Sequence, residues 1–334
     1  MKNSMKAICS TPGGVELQNV PMPVKAEPKH LLIKMGACGI NPGDKSFIGR
    51  TFPIGLVLSK YEIYGVSGVG NVVEAGDNVP EEYIGKHVAI YRSLVPSNHI
   101  VGTWSQYAHV HYLDCVILPD SVDMLDYSGS LVNIITPYAF LKQIQLEGHK
   151  AIITTAGTSA TGIAMAGICL AYNIPHIAIV RTAEAKEELL DLGARHVLVQ
   201  GDADFKNQLK DLAQALSATA VFDGVGGTIL NDIIDVLPNN TTIYAYGFLG
   251  GSTPLTVHTS ALIRGITIKG FSNFRSATVL DLPELERAMQ AISEIIHMPH
   301  FKTKRGPSFK LEDIADALAF STEDGAKAIL HPFK

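Results

Sequence analysis

Ala151-Ile152-Ile153-Thr154-Thr155-Ala156-Gly157-Thr158-Ser159-Ala160-Thr161-Gly162 is the stretch on which the fold turns. It starts as a short apolar run, breaks at a glycine and opens a segment of helical spacing with small residues at Gly162, Ala166 and Gly167. A strand that turns tightly into a helix is the opening half of a βαβ unit. The alternation continues downstream, with apolar strand candidates at 177–180, 197–199, 220–223, 242–246 and 266–269. The helix predicted over 183–192 turns Glu184, Lys186, Glu187 and Glu188 outward and stops at Gly193, a natural C-cap. Continuous apolar strands with helices between them are what a parallel sheet covered on both faces requires, so the predicted class is α/β, with a doubly wound sheet.

Upstream the texture differs. Short apolar segments such as 30–35 and 66–73 are separated by turn clusters, Gly13-Gly14 and Gly76-Asp77-Asn78 among them, which suggests a barrel or sandwich. The tail offers amphipathic helices near 282–296 and 311–320 and then the apolar strand Ala328-Ile329-Leu330. Two domains suit a chain of 334 residues.

Composition narrows the function classes. Hydrophobic residues make up 46% and charged residues 18%, an ordinary globular balance, and the net charge of −5 is spread without basic blocks. Such a surface has no general attraction for phosphate backbones or anionic lipid, so neither nucleic acid nor membrane is an expected partner. Cys9, Cys38, Cys115 and Cys169 show no paired spacing, which fits reduced thiols in a cytoplasmic protein better than disulfides or a thiolate zinc site. The opening MKNSMKAICSTPGG lacks an apolar leader segment, and an unprocessed chain is expected.

The quoted turn is the context that a dinucleotide site needs, because a helix N-terminus presents free N–H groups to a pyrophosphate and small residues let the backbone approach it. Against G-x-G-x-x-G, Gly157 and Gly162 fit while Ser159 replaces the second glycine. An ordinary strand-to-helix turn is the competing reading. Gly157, Thr158, Ser159, Ala160, Thr161 and Gly162 are the candidate phosphate-binding residues. At the end of the next strand an NAD site carries a carboxylate for the ribose hydroxyls. Here that end reads Val180-Arg181-Thr182, with Lys186 one turn further on. A guanidinium can fork onto a 2′-phosphate and an ammonium can add a point charge, which favours NADPH over NADH; a solvated arginine is the alternative. Gly247 and Phe248 follow the fifth strand, where residues face the crevice of an α/β sheet. Asp223 reads as a turn residue. His109 and His111 fall on one face of a strand with no carboxylates at metal-ligand spacing.

The residues also converge on a family. The chain resembles the medium-chain dehydrogenase/reductase superfamily, and its zinc-independent quinone oxidoreductase-like branch in particular, along nearly its whole length. The matching pieces are Ala37-Cys38-Gly39-Ile40-Asn41-Pro42-Gly43-Asp44, Tyr64-Gly65-Val66-Ser67-Gly68, Gly85-Lys86-His87-Val88, Gly102-Thr103-Trp104-Ser105-Gln106-Tyr107, Ile135-Thr136-Pro137-Tyr138-Ala139, Leu192-Gly193-Ala194, Val221 to Gly227 and Gly325-Ala326-Lys327-Ala328-Ile329-Leu330. The resemblance implies a GroES-like β-barrel catalytic domain over 1–127, rejoined by 275–334, with a Rossmann NADP-binding domain over 128–274. It also implies a homodimer.

At the positions where zinc-dependent relatives hold catalytic zinc, the resemblance puts Asn41, Tyr64 and Val132, which cannot replace thiolate and imidazole. The cysteines of the family's structural zinc lobe are missing as well, so no metal is expected. Without a Lewis acid the small-molecule acceptor must already be electrophilic, as quinones and α,β-unsaturated carbonyls are. The resemblance further implies that Asn41 and Thr136 contact the nicotinamide end, with Phe271 as a wall of that pocket; a turn, a helix cap and a core position are the respective alternatives. Enoyl-thioester reductases of the superfamily use a tyrosine after the Asn-Pro motif, but here the nearest ring is Phe52, leaving Tyr61, Tyr64 or water to supply a proton. An enoyl-thioester reductase and an NADPH-binding relative with little turnover are the alternative functions.

Overall fold

The computed structural model describes residues 4–48, 59–322 and 324–334. The chain forms two compact units, Met1–Ile135 with Asp281–Lys334 and Thr136–Leu280. The first division falls inside a helix, Leu131–Leu146.

The first unit contains a hairpin of β1 (Ser4–Thr11) and β2 (Gly14–Pro21). Its larger sheet is built from β3 (His30–Gly39), β4 (Ser67–Ala75), β5 (His87–Tyr91), β6 (Tyr107–His111) and β7 (Cys115–Ile117). The ten-residue β3 is the hub, pairing antiparallel with both β4 and β6. Helix α1 (Pro42–Phe47) follows β3; Pro42 at its first position and Asp44, whose carboxylate accepts the backbone N–H of Asn41 at 2.8 Å, fix its start.

The second unit carries six strands: β8 (Ile152–Thr154), β9 (His176–Val180), β10 (His196–Val199), β11 (Ala220–Asp223), β12 (Thr242–Ala245) and β13 (Thr267–Gly270). Every pairing is parallel and the spatial order is β10-β9-β8-β11-β12-β13. Alternation along β9 shows why the runs are continuously apolar. Ile177 and Ile179 pack into one core with Leu209 and Ile233, whereas Ala178 and Val180 pack into another with Leu189. Helix α2 is Leu131–Leu146; α3 (Ala160–Ala171) and α4 (Ala183–Asp191) lie where the pattern predicts them, and Gly193 closes α4 with φ +91°.

The tail returns to the first unit. After β14 (Arg305–Phe309), β15 (Lys327–Leu330) pairs antiparallel with β3, setting Leu330 opposite Cys38.

His109 and His111 share a face, and both meet His30 on the neighbouring strand: the His30 and His109 rings stack at 4.9 Å, and His111 meets His30 edge-on at 5.5 Å. Hydrogen bonds hold the neutral forms. His109 Nδ1–H donates to the His99 carbonyl at 2.8 Å while Nε2 accepts the Glu27 N–H at 3.1 Å. Burial lowers the pKa of His30 and brings those of His109 and His111 down to about 4. The unfolded chain therefore binds more protons below pH 6.5, so this stabilisation is whole above pH 6.5 and is lost as pH falls toward about 4. Urea midpoints at pH 7 and pH 4.5 should differ more for the native chain than for His109→Gln, by on the order of 2–3 kcal/mol of unfolding free energy. Equal pH slopes in the two proteins would contradict the assignment.

Candidate active site

At the carboxyl end of β8 the chain makes the turn Thr155-Ala156-Gly157-Thr158-Ser159 before α3. Ser159 is the helix N-cap: its Oγ accepts the Gly162 N–H at 3.0 Å and donates to the Ala156 carbonyl at 2.9 Å. The serine in place of the second glycine thus satisfies one of the first-turn N–H groups. Gly162 is indispensable for another reason. A Cβ there would lie 2.0 Å from the Ala156 oxygen and 2.7 Å from that of Gly157, so helix and turn touch through backbone alone. Asp223, at the end of β11, accepts the Thr155 hydroxyl at 2.6 Å and the Val225 and Gly226 N–H groups, which makes it the tie between two turns expected of a turn residue. Gly247 packs on Gly224, its hypothetical Cβ only 2.9 Å from the Gly224 oxygen. The ends of β8, β11 and β12 therefore form a cradle of close backbone, and this donor set fits a dinucleotide.

Arg181 directly follows β9 and is exposed; Thr182 caps α4, and Lys186 lies half-buried in that helix's first turn. Thr136 is a half-buried residue of α2. Phe248 is 73% exposed, whereas Phe271 is buried in an aromatic cluster with Phe140 and Phe222, at 5.4 and 6.0 Å between ring centroids.

Asn41 and Tyr64 belong to the first unit. Asn41 is buried within a polar network that spacing alone could not reveal. Its Oδ1 accepts from Lys327 Nζ at 2.7 Å and from Asn133 Nδ2 at 3.3 Å, while its Nδ2 donates to Ser67 Oγ at 3.3 Å. Asp44 is buried beside it; burial raises its carboxyl pKa, and the Asn41 hydrogen bonds, Arg92 and Lys327 pull the other way. Arg92 is itself buried and donates from Nε to the Gly65 carbonyl at 2.6 Å. Tyr64 shares this environment. Burial first and then Asp44 push its hydroxyl up to about 12, which keeps the proton on at neutral pH. Phe52 lies outside the described residues, and Tyr61 is 47% exposed.

These groups do not suit a divalent metal. Amide, phenol and isopropyl are poor zinc ligands, and the Asn41 oxygen already holds an ammonium at 2.7 Å. Among the described residues no group of three His, Cys, Asp or Glu side chains could hold a metal ion. Lys327, Asp44, Arg92, Asn133 and Ser67 were not legible as site residues; the one available signal was a lysine opening the otherwise apolar strand Lys327-Ala328-Ile329-Leu330.

Comparisons with known proteins bear on the family and the fold. Residues 27–120 match the family model described as alcohol dehydrogenase GroES-like domain, and residues 160–293 match that described as zinc-binding dehydrogenase. The chain is 26% identical to a mitochondrial enoyl-[acyl-carrier-protein] reductase of Caenorhabditis elegans, covering 92% of this chain and 87% of that protein. It is 22% identical to a quinone oxidoreductase of Sus scrofa over 91% of this chain and 90% of the other. A solved structure from Mesorhizobium loti, described as an NADPH:quinone reductase, is 26% identical and superposes with a TM-score of 0.74 over 99% of both chains. With the strand order and the glycine cradle, these matches support a nicotinamide cofactor. The chain belongs to the medium-chain dehydrogenase/reductase superfamily and is quinone oxidoreductase-like within it.

Proposed function

We propose that the chain is an NADPH-dependent, zinc-independent reductase of quinones or other activated alkenes and carbonyls. The observation that carries this reading is the pairing of a glycine-closed β8–α3 turn with Arg181, where an NAD-preferring site would carry a carboxylate. Gly157 to Gly162 hold the pyrophosphate, Arg181 and Lys186 the 2′-phosphate, and Asn41 with Thr136 the nicotinamide end; Gly247, Phe248 and Phe271 complete the cofactor contacts. Bound NADPH supplies a hydride to a carbon already made electrophilic by conjugation. The residues of the chain then have two tasks, to stabilise the oxyanion that develops and to let a proton follow, for which the Tyr64 hydroxyl is the candidate donor. The decisive assay is NADPH oxidation with para-benzoquinone, cyclohexenone and crotonyl thioester, with and without chelator.

A second substrate class, enoyl thioesters, is favoured by the curated enoyl reductases among the relatives. A relative that binds NADPH without useful turnover would bind the cofactor tightly and ignore all three acceptors. The four cysteines are unpaired and buried, in keeping with a reducing compartment, for which we propose the cytoplasm. No helix among the described residues is long and apolar enough to cross a membrane.

A homodimer is part of the proposal. Strand β13 is an edge of its sheet, and Leu262, Ile263 and Ile268 near it are 57%, 83% and 38% exposed. An open edge with apolar neighbours is a template for a second copy of the same strand. Ile263→Glu with Ile268→Lys should reduce the mass found by light scattering from twice 35.9 kDa to 35.9 kDa. A native chain that is already monomeric at micromolar concentration would remove the dimer.

A further inference from the structure

Lys327 carries a charge that its strand does not explain. All four residues of β15 are buried, and the ammonium donates to Asn41 Oδ1 at 2.7 Å and to the Gly129 carbonyl at 3.0 Å, with no carboxylate of the described residues in direct contact. Taking an ammonium out of water without a contacting counter-ion costs several kcal/mol, and a methionine would fill much of the same volume without that cost. The opposite charge sits one group away. Asp44 accepts the Asn41 backbone N–H at 2.8 Å and also bonds the Asn41 side chain. The Asn41 amide therefore bridges an ion pair, with the carboxylate on its N–H side and the ammonium on its carbonyl side. A flip of that amide would turn its NH₂ against the ammonium and its oxygen against the carboxylate, so only one orientation is stable.

We infer that Lys327 is a positioning residue for Asn41: its buried ammonium locks the amide in one orientation and, by drawing charge onto the carbonyl oxygen, strengthens the N–H bonds through which the amide holds Ser67 and Asp44. The inference rests on the reading that Asn41 meets the nicotinamide end. Its chemical consequence is that a fixed positive charge keeps the polar groups around Asn41 in one arrangement during reduction.

The experiment uses Lys327→Met and Lys327→Gln in the full chain. Lys327→Gln keeps N–H donors for Asn41 and Gly129 and covers the case in which the methionine variant does not fold. Burial brings the native Lys327 pKa down to about 8, against the opposing pull of Asp44. Among the described residues, the groups facing this network are Asp44 from α1, Tyr64, Arg92 and, beyond Arg92, Asp114. Burial raises Asp114 to about 8 as well, but a transition due to Asp114 would survive replacement of Lys327. With ¹⁵N-asparagine labelling, the Asn41 side-chain resonances, identified by their loss in Asn41→Ser, should shift in the native chain with a midpoint near pH 8 and stay fixed in both variants. In turnover, kcat should fall about tenfold or more while KM for NADPH changes less than about threefold, and the decline of native activity above pH 8 should vanish. An Asn41 transition that persists in the variants, or is absent from the native chain, overturns the inference. So does native-like kcat in a folded variant. A native chain that turns over no acceptor sinks the functional reading instead, and the resonance titration still decides on Lys327.

Discussion

Gly162→Ala is expected to abolish NADPH binding and to destabilise the chain by about 3 kcal/mol or more, from the cost of forcing atoms into a filled space. Alanine normally favours a helix, so propensity alone predicts the opposite sign. The added methyl would sit 2.0 Å from the Ala156 oxygen and 2.7 Å from the Gly157 oxygen. Both are main-chain atoms, and no rotamer change can relieve the clash. Either α3 lifts from the turn or the turn opens, and in both cases the N–H groups meant for the pyrophosphate lose their aim. Gly157→Ala should be milder, because its methyl would meet the Ile179 oxygen and a Val180 methyl at 2.9 Å. Gly201→Ala, with nothing within 4 Å, should change neither property. Urea unfolding and titration of dihydronicotinamide fluorescence measure the series. NADPH affinity in Gly162→Ala within about threefold of native would refute the cradle.

Arg181→Asp is expected to lower the preference for NADPH over NADH by about 100-fold, the sum of a lost charge-assisted bond and a new repulsion at roughly 1.4 kcal/mol per factor of ten. Arg181 is exposed at the end of β9, just before the α4 cap, so replacing it leaves the core intact. A carboxylate there repels a 2′-phosphate and accepts from free ribose hydroxyls. NADPH should weaken and NADH should tighten in direct binding measurements. An unchanged ratio would move the phosphate contact elsewhere.

The second unit was legible because its signals are local. Ile177 and Ala178 differ in which core they enter, yet both must be apolar in a sheet covered on both faces, and the run shows it. Ser159 sits where the dinucleotide-binding pattern carries its second glycine, and its hydroxyl explains the substitution by capping the helix. The polar network of the first unit was not legible. Lys327 and Asn41 are 286 residues apart and meet only because β15 pairs with β3. His30 likewise stacks on His109 through strand register, which no single-sequence pattern specifies. Tertiary pairing, not local propensity, decides which polar residues share a buried space.

The measurement closest to the central claim follows the hydride itself. NADPH deuterated at C4 is oxidised with cyclohexenone in the presence of chelator, with para-benzoquinone and crotonyl thioester in parallel. The account predicts NADPH consumption that the chelator leaves unchanged, and deuterium at the β-carbon of the cyclohexanone formed. No turnover with any of the three, or turnover that the chelator abolishes and zinc restores, would contradict it.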